Sequence, residues 1–254
     1  MYWIMHGYMT AYLRAYTLQH EGKYREALTL VDTLPKALAE AQTIQKGLLP
    51  PDPDWVLKEG FSLADLQTHL KWQADRAGGQ LGDLLGRAPA KAQFLQDPKN
   101  IGLFEQWQRD DIGAKQKWQP IDLTRHWGLN GQRDTTGGDY EGIGWYRIAI
   151  PIKQPGKGRA QLVMPLVFTE RAWVWVNGQL VASPTNMTAD EKTGPVPGKG
   201  VLDNNRGYVT LSVDIQDQLR PNAANTVVVR LIGTFDRTQR RGIAEVPFVW
   251  APNK

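Results

Sequence analysis

RAWVWVNGQLV, residues 171–181, decides the fold. Alternation places Ala172, Val174 and Val176 on one face of an extended chain and Arg171, Trp173 and Trp175 on the other. Asn177-Gly178 closes the run, and this dipeptide favours a type I′ turn because both of its residues accept positive φ. A hairpin is predicted, and its turn fixes the register. The small β-branched side chains suit the space between two sheets. The two indoles then belong to the outer face of that strand, or to a region that another element covers.

The period of two recurs through the second half of the chain. Tyr146, Ile148 and Ile150 alternate with Trp145, Arg147 and Ala149, and Leu162, Met164 and Leu166 alternate with Gln161, Val163 and Pro165. Val209, Leu211, Val213 and Ile215 oppose Tyr208, Thr210, Ser212 and Asp214, and Val227, Val229 and Leu231 oppose Thr226, Val228 and Arg230. Turn residues bound these runs, as in PGKG and RPNAAN. Short strands with such punctuation predict an antiparallel β-sandwich or barrel.

The first half has helical spacing instead. Ile4, Tyr8, Tyr12 and Tyr16 recur every four residues, which predicts a helix with an aromatic stripe for packing. EGK at 21–23 breaks the pattern. A second helical run carries Ala27, Leu28, Val31, Leu34, Leu38 and Ala41, and Pro35 is expected to bend or split it. The proline-stiffened LLPPDPDW, 48–55, reads as a linker. Ser62 is placed to cap a further helix with Leu63, Leu66 and Leu70 on its apolar face, ending at Gly78-Gly79. A helical turn is expected around Leu81 to Leu85, and RAPAKAQFLQDPKN is expected to be a loop. The domain expectation is therefore a helical segment over 1–95 and a β-sandwich over 96–254.

Composition narrows the function classes. The chain has 254 residues, 41% apolar and 22% charged, as globular proteins do. No apolar run is long enough for a transmembrane helix, and no membrane partner is expected. A formal charge of +4 without a long basic block gives no expectation of nucleic-acid binding. The absence of cysteine removes disulfides, thiolate metal sites and a cysteine nucleophile. MYWIMHGYMTAYLR lacks the features of a signal peptide, so an extracellular or periplasmic location is expected only if the chain is part of a longer secreted protein. Ten tryptophans serve large cores and flat ligand platforms equally well.

DYEGIGWYRIAIPI, RAWVWVNGQLV, GYVTLSVDIQDQL and NTVVVRL together resemble the galactose-binding-like jelly-roll domain. This is the sugar-binding domain of glycoside hydrolase family 2 and an accessory module of other carbohydrate-active proteins. Upstream, KWQPIDLTRHW resembles the entry strand of that domain. RRGIAEVPFVW resembles its closing strand, with Arg241 where the family usually has the first of two glycines. The resemblance covers about residues 100 to 250. It implies a mainly β chain, an antiparallel β-sandwich of galactose-binding-like jelly-roll type preceded by an α-helical N-terminal segment. It also implies non-catalytic carbohydrate binding within a bacterial polysaccharide-degrading protein. The partners would be an oligo- or polysaccharide and a catalytic domain on the same or another chain. A glycoside hydrolase or esterase acting on glycans and a purely structural accessory domain remain as alternatives.

The residues themselves name no catalyst. Nucleophile-elbow, P-loop and HExxH patterns are absent, and His6, His20, His69 and His126 have no metal-ligand spacing. A glycosidase needs two carboxylates roughly 5 to 9.5 Å apart. Asp110, Asp111, Asp139, Glu141, Asp203 and Asp214 are present, but no pair stands out. A sugar site would instead use aromatic platforms and planar polar side chains. The candidates are Arg133, Asp139, Tyr140 and Glu141 before Trp145, the indoles Trp173 and Trp175, and Arg237, Arg240 and Arg241 in the late loop. No cofactor is expected. A structural calcium is the one metal considered, with Asp190, Glu191, Asp203 or Asn204 in the long 183–207 loop as oxygen donors.

Overall fold

The computed structural model describes residues 2–44, 63–77, 80–153, 158–169, 171–183, 201–203, 208–233 and 240–253. The chain forms two compact units, Met1–Asp83 and Leu84–Lys254.

The first unit is helical, with α1 (Tyr2–His20), α2 (Tyr24–Val31), α3 (Leu34–Ile44) and α4 (Leu63–Ala77). Gly22 ends α1 with φ +80. Its N–H donates to Gln19 O at 2.9 Å and the Lys23 N–H to Leu18 O at 2.8 Å, the bond pair of a Schellman cap. Pro35 does split the second run. It falls in the first turn of α3, where a helix tolerates a missing N–H. Tyr8, Ala15, Leu18, Ala27, Val31, Leu34 and Leu70 form the core of this unit. The tyrosine stripe is only partly used, because Tyr8 is buried, Tyr12 is half-buried and Tyr16 is 45% exposed. A spacing of four advances about 40° beyond a full turn at each step, so the stripe rotates out of the interface. The 48–55 linker, Ser62 and Gly78-Gly79 lie outside the described residues.

The second unit is a sandwich of two antiparallel six-stranded sheets. Its strands are β1 (Gly82–Arg87), β2 (Lys91–Gln96), β3 (Gln119–Asp122), β4 (Gly142–Pro151), β5 (Gln161–Phe168) and β6 (Arg171–Val176). They continue as β7 (Gln179–Ala182), β8 (Val201–Asp203), β9 (Tyr208–Asp214), β10 (Ala224–Gly233), β11 (Gly242–Ile243) and β12 (Phe248–Pro252). Sheet A runs β1-β12-β5-β9-β8 with β11 also on β5, and sheet B runs β3-β2-β4-β10-β6-β7.

The hairpin at Asn177-Gly178 forms as the sequence predicts, with φ of +51 and +83 at its two residues. Val174 and Val176 are fully buried in the inter-sheet core with Ile148, Ile150, Val229 and Leu231. On β5 the alternation holds through Met164 and then shifts register before Val167. Val167 therefore enters the core where Leu166 was expected. Pro165 sits inside this irregularity, the place where a sheet accepts a proline.

Residues 82–96 correct the sequence reading. They form β1 and β2 where a helical turn and a loop were expected. Gly82-Asp83-Leu84-Leu85 shows no alternation, and Lys, Ala and Gln in β2 are poor strand formers. Tertiary pairing decides their conformation: β2 is clamped between β3 and β4, with Ala92 and Phe94 turned into the core.

Candidate functional site

The loops 125–142 and 240–243 meet around one indole. Trp127 is fully buried, and its Nε1 donates to the Tyr146 hydroxyl at 2.6 Å. The Trp127 backbone N–H donates to Arg241 O at 2.7 Å, and the Ile243 N–H reaches the same hydroxyl at 3.1 Å. Burial pushes the Tyr146 phenol well above its usual pKa, which keeps it neutral as the hub of these bonds. Gly242, at φ +94, passes so close that a Cβ would lie 2.3 Å from Trp127 Nε1. Glycine is required here on both counts. The turn forms with Arg241 beside the glycine.

The candidates Arg133, Asp139, Glu141, Arg240 and Arg241 lie on this frame. Asp134 accepts the N–H groups of Thr136 at 2.8 Å and Gly138 at 2.9 Å, a tight turn that returns the chain to pair Arg133 with Asp139. Their side chains form an ion pair. Glu141 pairs with Arg241, whose side chain is buried while that of Glu141 is half exposed. Arg240 holds its guanidinium 5.9 Å from the centre of the Phe168 ring. Arg237 lies outside the described residues.

Tyr140 is a correction. Its ring is buried 5.6 Å from that of Trp127, and its hydroxyl donates to Ile143 O at 2.8 Å. Burial pushes its phenol up to about 12. It supports the loop from beneath and offers no face to a ligand.

His126 belongs to the same cluster, although its sequence context gave no sign of it. A Cβ on Gly128 would lie 2.9 Å from Asp139 Oδ2 and 3.3 Å from His126 Cε1, so both side chains close on that glycine. Burial, with Arg240 and Arg241 nearby, holds the His126 imidazole below its ordinary pKa. Its Nδ1 is buried without a partner among the described residues. Leu129, 65% exposed, adds an apolar point to the same loop.

Trp173 and Trp175 are on the outer face of sheet B, as alternation requires, but they are covered. The strap 97–118 crosses that face and brings Trp107 and Trp118 down beside Trp145, Trp173, Trp175 and Val228. Trp175 is buried and stacks on Trp145 with centroids 5.5 Å apart and planes inclined by 19°. It is therefore a second correction: Trp175 is enclosed in a cluster with the strap's Trp107 and the stacked Trp145. Trp173 is half-buried, with the Arg230 guanidinium 4.1 Å from its ring centre.

Asp97 anchors the strap. Its carboxylate accepts the N–H groups of Ile101 at 2.8 Å and Gly102 at 2.9 Å, and Trp145 Nε1 at 3.0 Å. Two arginines of the sheet hold the strap from below. Arg147 Nη2 donates to Asp110 Oδ1 at 2.7 Å, and Arg230 Nη2 donates to Asn100 Oδ1 at 2.9 Å. Burial lowers the pKa of the Arg230 guanidinium against the opposing pull of Asp97.

Two further candidate carboxylates have arginine partners: Asp111 with Arg109 at 3.0 Å and Asp214 with Arg159 at 2.6 Å. Of the calcium donors considered, Asp190, Glu191 and Asn204 lie outside the described residues, and nothing is described of the Asp203 side chain. Among the described residues no group of three or more His, Asp or Glu is placed to hold a metal ion.

The sandwich has a fold found in known proteins. It is similar to Ruminococcus gnavus β-glucuronidase, with a TM-score of 0.51 at 16% identity over 70% of this chain and 30% of that one. The same enzyme in complex with D-glucuronic acid gives 0.51 at 15% identity, over 70% and 31% of the two chains. Its apo structure gives 0.50 at 16% identity, over 70% and 30%. The chain thus spans about 30% of the length of these enzymes, and the likeness is one of fold. No protein-family model matches the sequence, and no curated protein matches it.

Proposed function

We propose that the sandwich is a galactose-binding-like jelly roll acting as a non-catalytic carbohydrate-binding module of a polysaccharide-degrading protein, with its site at loops 125–142 and 240–243. The observation that carries this reading is the arrangement of Asp139 and Glu141, each held by an arginine, on loops fixed by Trp127. Carboxylates pinned in this way are stationary acceptors for sugar hydroxyls. Arg133 and Arg240 add planar donors, which suit paired hydroxyl oxygens. Leu129 supplies an apolar contact for a C–H face. The fold likeness to a β-glucuronidase supports a carbohydrate context. The catalytic alternative is less favoured, because a glycosidase needs one carboxyl protonated and a second ionised across the scissile bond.

A structural role without a ligand is the second reading, favoured by the burial of Tyr140 and Trp175. Titration calorimetry of the full chain with a panel of neutral and acidic oligosaccharides separates the readings. Binding is expected, and an Arg133→Ala/Asp139→Ala variant is expected to weaken it roughly ten- to hundredfold, the value of a charge-assisted bond. Silence across the panel favours the structural role, and release of reducing ends favours a hydrolase.

A further inference from the structure

Three guanidinium nitrogens are buried beneath the strap with no acceptor among the described residues: Arg230 Nε, Arg230 Nη1 and Arg147 Nη1. Arg230 is only 3% exposed. An unmade hydrogen bond in the interior is unfavourable, and more so on a charged group. The two arginines share the outer face of sheet B as diagonal neighbours, since Trp145 pairs with Arg230 and Arg147 with Val228. Long side chains reach each other at that spacing. The acceptors these arginines reach are Asn100 and Asp110, each through an Nη2 atom, while Asp97 is taken by Ile101, Gly102 and Trp145. The Trp173 ring meets the Arg230 guanidinium as a cation–π partner, but a ring face accepts none of the in-plane N–H bonds.

We infer that the outer face of sheet B beneath strap residues 97–118 is an oxyanion site, in which a carboxylate, sulfate or phosphate accepts the unpartnered protons of Arg230 and Arg147. Guanidinium groups are weakly hydrated, and their planar donors match such oxyanions. Trp145 and Trp173 wall the Arg230 side, with the guanidinium 6.0 Å and 4.1 Å from their ring centres. A neutral ligand would add nothing to the pull of Asp97 on the buried guanidinium, and a cation would be repelled. Entry requires the strap to lift where Asn100 meets Arg230, and the anion then replaces a neutral amide oxygen with a charged one. No residue of this site belongs to loops 125–142 or 240–243, so it stands or falls apart from the sugar-binding reading.

The test is thermal unfolding of the full chain, followed by tryptophan fluorescence, in chloride and then in sulfate, phosphate, acetate or glucuronate at equal ionic strength. At least one oxyanion is expected to raise the wild-type midpoint by roughly 3 °C at ten times its Kd. Inorganic and carboxylate arms distinguish the sources of the shared chemistry. Sulfate and phosphate also stabilise proteins non-specifically, so Arg230→Met is the control and is expected to lose the excess shift. Asn100→Gly suits the φ of +54 at that position and removes the competing acceptor, so its shift is expected to exceed that of the wild type. The inference is overturned if no oxyanion shifts the wild type more than Arg230→Met. Should Arg230→Met fail to fold, an Asn100→Gly shift no larger than that of the wild type overturns it.

Discussion

Sheet B has two buried faces of opposite character. On β6 the inner face presents Val174 and Val176 to the second sheet, and both are completely enclosed by apolar neighbours. One residue along, the outer face presents Trp173 and Trp175 to an irregular strap, with Arg147, Arg230, Asp97 and Asp110 interleaved. A sheet covers its neighbour with a continuous apolar layer, whereas a strap brings backbone polar groups that must find partners. The inner face is thereby a matter of volume and the outer face a matter of hydrogen bonding. Only the outer face retains donors without acceptors.

That contrast can be broken at graded cost. Trp127→Ala empties the inner layer beside Tyr146 and is expected to destabilise the sandwich by about 3–5 kcal/mol in urea unfolding. Trp175→Ala removes an equally large ring from the outer layer. Its cost is expected near 3 kcal/mol, because a strap settles into a cavity more readily than a sheet does. Equal losses at the two sites would show that the strap is as rigid as the sheet. Arg230→Met is expected to change stability by no more than about 1 kcal/mol, with a gain as acceptable as a loss. A large loss would make Arg230 a structural clamp. The smallest effect concerns pH. His126 has a lowered pKa in the folded chain, so the unfolded chain takes up the proton first. Its contribution is complete above the ordinary value of 6.5 and fades as pH falls from there through the lower folded value. His126→Gln is expected to flatten the midpoint-versus-pH curve over that window.

The readable and unreadable parts of the molecule divide along the same line. The hairpin, the valines and the strands β4, β6, β9 and β10 follow from alternation and turn chemistry, which are local. The outward direction of Trp173 and Trp175 was equally legible, but their cover was not, because residues 97–118 carry no period that points to the sheet. β1 and β2 carry no local signal, because partners far along the chain hold weak strand formers in place. At the candidate site, the pairing of Arg133 with Asp139 and the gathering of Glu141 and Arg240 came from loop residues that sequence could name. The inward turn of Tyr140 and the placement of His126 against Gly128 depend on packing around Trp127, which no spacing reveals.

The hairpin tip has a consequence for chemical ageing. An asparagine followed by glycine is the dipeptide most prone to deamidation, in which the glycine nitrogen attacks the side-chain carbonyl carbon. Asn177 is restrained at both ends of its amide: Nδ2 donates to Gln218 O and Asn225 Oδ1, each at 2.8 Å, and Oδ1 accepts the Thr226 N–H at 3.1 Å. The ring closure needs that amide to turn, so these bonds tie the lifetime of the residue to the pairing of β6 with β10. Slow conversion of Asn177 to aspartate or isoaspartate therefore records how often β6 and β10 part at this end.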